Sequence, residues 1–192
     1  GEESRVPGRA GHRPSVAFVV RVMATGVFDL LHPGHVYFLR EARALGDELW
    51  VVVARDSTAR KFKHEPIMPE AARFQMVEAL KPVDRAVLGH EGNIYDILDE
   101  IRPDIIAIGY DQVHSEERIL AECRKRGLST KVLRLPKFEG DLVGTRKIVR
   151  KVAEWLALQE RLDKVERGDA RQAADPPPRP RKRKPAPRKR NA

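Results

Sequence analysis

Five short apolar runs punctuate the chain, and between them apolar residues recur every three or four positions. The runs predict strands over 16–24, 48–54, 84–88, 104–108 and 131–135. The longer periodic stretches predict helices over 33–45, 69–80, 93–101, 115–127 and 144–165. The strand runs, such as Leu49-Trp50-Val51-Val52-Val53-Ala54, are nearly continuous rather than alternating. That is the pattern of strands covered by helices on both faces, as in a parallel sheet. Boundary residues agree: Pro69 stands ahead of Glu70 at a helix start, and Gly46 and Gly127 follow helix ends. The alternation of strand and helix implies the α/β class, as one Rossmann-like, doubly wound domain on a five-stranded parallel sheet. Right-handed crossovers then bring the loops 25–35, 55–65, 89–93, 109–114 and 136–144 to one edge of that sheet, where they converge on one crevice.

Composition changes this picture mainly at the ends. Residues 1–15 are rich in Gly, Arg, Pro and Ser and are expected to be a disordered extension. Residues 168–192, with Pro176-Pro177-Pro178 and Arg179-Pro180-Arg181-Lys182-Arg183-Lys184, are expected to be a disordered basic tail. The domain is therefore assigned to 16–167. The net charge of +9 follows the same division: residues 168–192 carry +7, residues 1–21 carry +2, and the body between them is neutral. Binding of nucleic acid by the folded body is not implied by the high pI. The tail is the segment that would give it, as salt-sensitive contacts to phosphates, and a solubilising role is the simpler expectation. Cys123 is the single cysteine, which excludes internal disulfides and cysteine-based metal cages. No apolar run approaches membrane-spanning length and the start lacks a signal-peptide pattern, so a cytoplasmic setting without membrane contact is expected.

The first loop carries the most chemistry. After strand 16–24 comes Thr25-Gly26-Val27-Phe28-Asp29, then His32-Pro33-Gly34-His35 at a helix start. Gly26 permits a sharp turn, Pro33 pre-sets the first helical φ, and Gly34 lets a ligand approach the helix N-terminus, whose free N–H groups favour anions. His32 and His35 are three apart, so they share a face. Two imidazoles aimed at a phosphate can donate to charge that builds on oxygen in a transition state, and can also move a proton. A metal pair or two surface histidines are the plainer readings; no third zinc ligand stands nearby at helical spacing.

The other loops add anion and base contacts. Arg55, Arg60, Lys61 and Lys63 lie in 55–65, and Arg73 on helix 69–80 can reach the same edge. Gly109-Tyr110-Asp111-Gln112 follows a buried strand; Asp111 suits a ribose hydroxyl or a base edge, or else caps a helix. Gly144-Thr145-Arg146-Lys147 is a second glycine-containing helix start, with Thr145 and Arg146 placed to clamp phosphates. Val149, Val152, Trp155, Leu156 and Leu162 form an apolar stripe on the last helix, suited to the core or to a second subunit of a homodimer.

Gly26-Val27-Phe28-Asp29-Leu30-Leu31-His32-Pro33-Gly34-His35 resembles the signature of the HxGH, cytidylyltransferase-like nucleotidyltransferases, and the resemblance spans about residues 20–150. Within that superfamily, Val53-Ala54-Arg55-Asp56, Pro66-Ile67-Met68-Pro69-Glu70 and 76–84 look most like archaeal-type FAD synthases. The resemblance implies transfer of AMP from ATP to FMN, with pyrophosphate released and Mg²⁺ or another divalent metal entering with ATP. It implies catalytic roles for His32, His35 and Lys63. Nucleotide binding falls to Val27, Phe28, His32, Pro33, Gly34, His35, Gly109, Asp111 and Thr145. Phosphate contacts fall to Arg73 and Arg146, Asp29 is an outer-shell contact to the metal, and no side chain is assigned as a direct metal ligand. The chain departs from the pattern at Val27, where many relatives have Thr or Ser. Its last loop lacks the Ser-Thr-Thr of glycerol-3-phosphate cytidylyltransferases and the cysteines frequent in archaeal FAD synthases. A CTP-dependent enzyme acting on glycerol 3-phosphate is the alternative within the same chemistry.

Overall fold

The computed structural model describes residues 18–62, 65–112, 115–140 and 143–167. The elements run β1 (Arg21–Gly26), α1 (Pro33–Arg43), β2 (Glu48–Val53), α2 (Asp56–Phe62), α3 (Glu70–Glu78), β3 (Arg85–Leu88), α4 (Ile97–Ile101), β4 (Ile105–Ile108), α5 (Glu116–Lys125), β5 (Lys131–Arg134) and α6 (Thr145–Glu166). The fold is the expected α/β one: a five-stranded sheet in the order β3-β2-β1-β4-β5, with every pairing parallel.

Side-chain alternation divides the core in two. Val22 and Ala24 of β1, Val51 and Val53 of β2 and Ala107 of β4 face one side, where they pack with Leu39 and Ala42 of α1 and Val77 of α3. Met23, Val52, Ile106 and Ile108 face the other side, with Ile97, Leu98 and Ile101 of α4 and Ile119 and Cys123 of α5. Both faces are apolar because both are covered, which is why the strands read as continuous runs.

The order of strands places the site. From β1 the chain winds to β2 and β3, then returns across β1 to lay down β4 and β5. The winding direction therefore reverses between β1 and β4, and the loops after those two strands open a crevice at their carboxyl ends.

The segment read as a loop over 55–65 contains a helix, α2. Its residues are mostly polar or charged and only Ala59 is buried, so it carries almost no apolar periodicity. The expected helix over 93–101 is confined to Ile97–Ile101. The chain divides into two compact units, 1–147 and 148–192. In the second unit, Val149, Val152, Trp155, Leu156 and Leu162 of the stripe on α6 are exposed. Residues 1–15 and 168–192 lie outside the described residues. Among the described residues no helix is long and apolar enough to cross a membrane.

Candidate active site

β1 ends at Gly26 because the following turn needs it. A Cβ there would lie 2.8 Å from the Phe28 ring, which is buried beneath the turn. Phe28 and Leu30 take left-handed φ values of 54° and 46°, a conformation that side chains with a Cβ adopt only under constraint. The turn delivers the chain to His32, the N-cap of α1, with Pro33 at the first helical position.

The His32 Nδ1 accepts from the His35 backbone N–H at 3.3 Å. An Nδ1 that accepts is unprotonated, so the ring proton sits on Nε2 and is free to be donated. The two imidazoles stack, with centroids 3.8 Å apart and planes 17° from parallel, and Phe28 meets His35 edge-on at 5.3 Å. Burial pushes His32 down from its ordinary 6.5, against the upward pull of Asp111. The imidazole is therefore the neutral Nε2–H donor at neutral pH.

This shift makes a prediction about stability. The unfolded chain takes up a proton near the ordinary value, whereas the folded chain does so only at lower pH. Stability contributed by neutral His32 is thus lost as pH falls through that interval. His32→Asn keeps a capping acceptor but does not titrate. Between about pH 7 and about pH 5 the urea midpoint should fall more steeply for wild type than for His32→Asn. Equal slopes would show that folding leaves the imidazole's proton affinity unchanged.

A crevice of about 530 Å³ opens in front of the two rings. Val27, Phe28, His32, Gly34, His35, Gly109, Asp111, Thr145 and Arg146 all line it, as does Lys147. The starts of α1 and α6 therefore face one space, and both offer N-terminal partial positive charge. Packing also requires Gly34: a Cβ there would meet Val143 at 2.6 Å and the His32 ring at 3.0 Å. The loop before α6 lies directly against the start of α1. Gly144, at φ +105°, turns the chain into α6, and the Thr145 hydroxyl donates to the Asp29 carbonyl at 2.7 Å. That hydroxyl proton is spent, so the group Thr145 has left for an anion is its backbone N–H.

Other expected residues take different places. Pro33 starts α1 but is not part of the crevice wall. Lys63 lies outside the described residues. Arg73 is the clear correction. Its side chain is fully buried, and its guanidinium donates to the carbonyls of Met68 at 3.0 Å, Val27 at 2.5 Å and Ala54 at 2.8 Å, and to Asp56 at 2.6 Å. It has no face left for a phosphate and is a strut beneath the turn. Burial works against the Asp56 charge, but the hydrogen bonds from Arg73 and the Glu70 backbone outweigh it and hold the carboxyl below its usual range. Asp56 and Glu70 cap each other's helices, Asp56 N–H to Glu70 at 2.8 Å and Glu70 N–H to Asp56 at 3.3 Å. Arg55 joins them, bonding Glu70 at 2.7 Å and the Gly89 carbonyl at 2.9 Å. Asp29 likewise turns inward: both carboxylate oxygens accept backbone N–H groups, from Ile67 and Met68, at 3.0 Å. Asp111 is not a helix cap, since Ser115 caps α5.

Sequence reasoning missed the aromatic part of the wall. Tyr37 and Phe138, with ring centroids 5.2 Å apart, line the crevice together with Tyr110. Tyr37 lies two residues after His35, on the second turn of α1, and that position was the one available signal. Among the described residues no three His, Cys, Asp or Glu side chains form a metal-binding group.

The family model for cytidylyltransferase-like proteins matches residues 23–151, which includes the whole of this crevice. The chain belongs to the cytidylyltransferase-like family. Within reach of that family, a protein of Aciduliprofundum boonei named FAD synthase is 64% identical over 71% of this chain and 92% of its own length. One of Methanoregula boonei with the same name is 51% identical over 70% of this chain and 90% of its own. A solved structure from Thermoplasma volcanium, described as a lipopolysaccharide core biosynthesis protein, is 49% identical with a TM-score of 0.62. It covers 64% of this chain and all of its own. The cytidylyltransferase-like domain makes the chain a nucleotidyltransferase, and the matched span ends just inside α6.

Proposed function

We propose that this nucleotidyltransferase is an FAD synthase, transferring the AMP moiety of ATP to FMN. The observation that carries the reading is the stacked His32–His35 pair at the start of α1, lining one crevice together with the start of α6. The FAD synthase names of relatives 64% and 51% identical support FMN as the acceptor. They disfavour the alternative of CTP and glycerol 3-phosphate.

An oxygen of the FMN phosphate attacks the α-phosphorus of ATP in line. The new P–O bond forms as the bond from the α-phosphorus to the bridging oxygen of the β-phosphate breaks, and the electron pair leaves with pyrophosphate. The attacking phosphate is already ionised, so no protein nucleophile or base is needed. Catalysis reduces to positioning and charge stabilisation. The His32 Nε2–H and the His35 ring donate to oxygens around the α-phosphate, where charge builds. The N–H groups at the start of α6, with Arg146 and Lys147, hold the phosphates, and Lys63 takes the role the resemblance implies. Asp111 and the aromatic wall face the adenosine.

A divalent metal fits only as a passenger of the nucleotide. Asp29 accepts two backbone N–H groups, and among the described residues Asp111 is the other carboxylate in the crevice wall. Mg²⁺ would be held by substrate oxygens and water, neutralising triphosphate charge.

The test is one paired assay. With ATP and FMN, FAD and pyrophosphate should accumulate in equal amounts; with CTP and glycerol 3-phosphate, pyrophosphate should stay at background. The reverse result would replace FAD synthesis by cytidylyl transfer.

A further inference from the structure

We propose that a second, apolar cavity beside the crevice houses the dimethylbenzene end of the FMN flavin. This rests on the reading of FMN as acceptor. The cavity lies at the carboxyl ends of β1, β2 and β4, on the face covered by α4 and α5, and α2 closes its outer side. Met23, Val52, Ile97, Leu98, Ile106 and Ile108 form its depth, and none is more than 6% exposed.

Three observations select the occupant. The first is chemistry: this depth offers no hydrogen-bonding side chain. Adenine, ribose or phosphate placed there would leave polar atoms without hydrogen-bond partners, which burial penalises. The dimethylbenzene end of a flavin has no such atoms.

The second is size. At about 130 Å³ the cavity is close to the roughly 150 Å³ known to take a single benzene ring in an engineered protein. It holds one ring, not three fused ones. The flavin's central and pyrimidine rings would then lie towards the mouth, and the ribityl phosphate, borne on the central ring, starts outside the apolar depth.

The third is position. Thr25, Gly26, Val27, Phe62 and Gln112 belong to the walls of both cavities, so the apolar chamber and the histidine crevice meet along the turn after β1. Two substrates whose phosphates must touch need such a shared wall. At this junction the Gln112 Nε2 donates to the Thr25 carbonyl at 2.5 Å, while its Oε1 is buried with no hydrogen-bond partner among the described residues. A stranded acceptor calls for a ligand donor, and the imide N–H at the polar end of a flavin is one.

Two substitutions fill the chamber without touching the histidine crevice. Ala59→Leu adds bulk from the α2 wall, and Ile94→Trp adds it from the loop before α4. FMN binding is read by quenching of its fluorescence in the presence of α,β-methylene-ATP, and binding of that analogue is read separately by calorimetry. Both variants should weaken FMN at least about tenfold, the scale on which a filled pocket rejects its ligand, and leave the analogue within about twofold. Thermal melting identifies a variant that fails to fold, and the other then decides. Unchanged FMN affinity with a raised melting temperature would mean that the chamber is a packing void, overturning the proposal. Loss of the analogue with FMN unaffected would place the nucleotide there and overturn it equally. Failure of the wild type to make FAD would be seen before any variant is made, and would remove the parent reading instead.

Discussion

His35→Ala lowers turnover at least about a hundredfold, equivalent to about 2.7 kcal/mol of transition-state stabilisation, the usual worth of one preorganised donor. The substitution removes a ring that stacks on His32 and meets the edge of Phe28. The backbone N–H of residue 35 still reaches the His32 ring, so the N-cap and α1 persist. The loss should appear in kcat at saturating ATP and FMN, with melting temperature and circular dichroism close to wild type. Near-normal turnover in the folded variant would end the role assigned to the histidine pair.

Arg73→Ala acts on the fold instead. It leaves three backbone carbonyls and the Asp56 carboxylate without their donor, at a fully buried position. Removing one partner of a buried ion pair costs about 3–5 kcal/mol, a large share of a typical domain's 5–15 kcal/mol. The urea midpoint should fall sharply, and the soluble yield with it. Arg73→Lys should recover only part of the loss, because one ammonium cannot span four oxygens held in a planar fork. If Arg73 instead bound phosphate, Arg73→Lys would raise the KM for ATP and leave the urea midpoint unchanged.

The contrast between these two residues shows what the sequence could and could not disclose. The place of His32 and His35 in the crevice wall was legible because their spacing and position after a strand set them at a helix start on the carboxyl edge of the sheet. Arg73 was misread because nothing in a helix with mixed polarity marks an arginine that turns inward; the carbonyls it serves, on Val27 and Ala54, are distant in the chain. The sheet was legible from its continuous apolar runs, since covering both faces forces that pattern. Helix α2 was not, because it buries only Ala59 and is held by the Asp56–Glu70 reciprocal caps. Caps between separate helices leave no periodic trace. The crevice's convergence followed from topology, but its aromatic wall did not: Tyr37 and Phe138 come together from α1 and the loop after β5.

The bond from the Thr145 hydroxyl to the Asp29 carbonyl spans 116 positions of sequence. The Asp29 end leaves the ribosome well before the Thr145 end. Strands β1, β2 and β3, with α1 and α3, can associate while the rest is still being translated. The part of the crevice wall at the start of α6 has no existence until residue 145 has emerged. Nucleotide held at that helix start can therefore lend no support to a chain that has not reached residue 145, and early assembly falls to the apolar core and to Arg73. A chain is in a position to be stabilised by a nucleotide at that helix start only once residue 145 has been added.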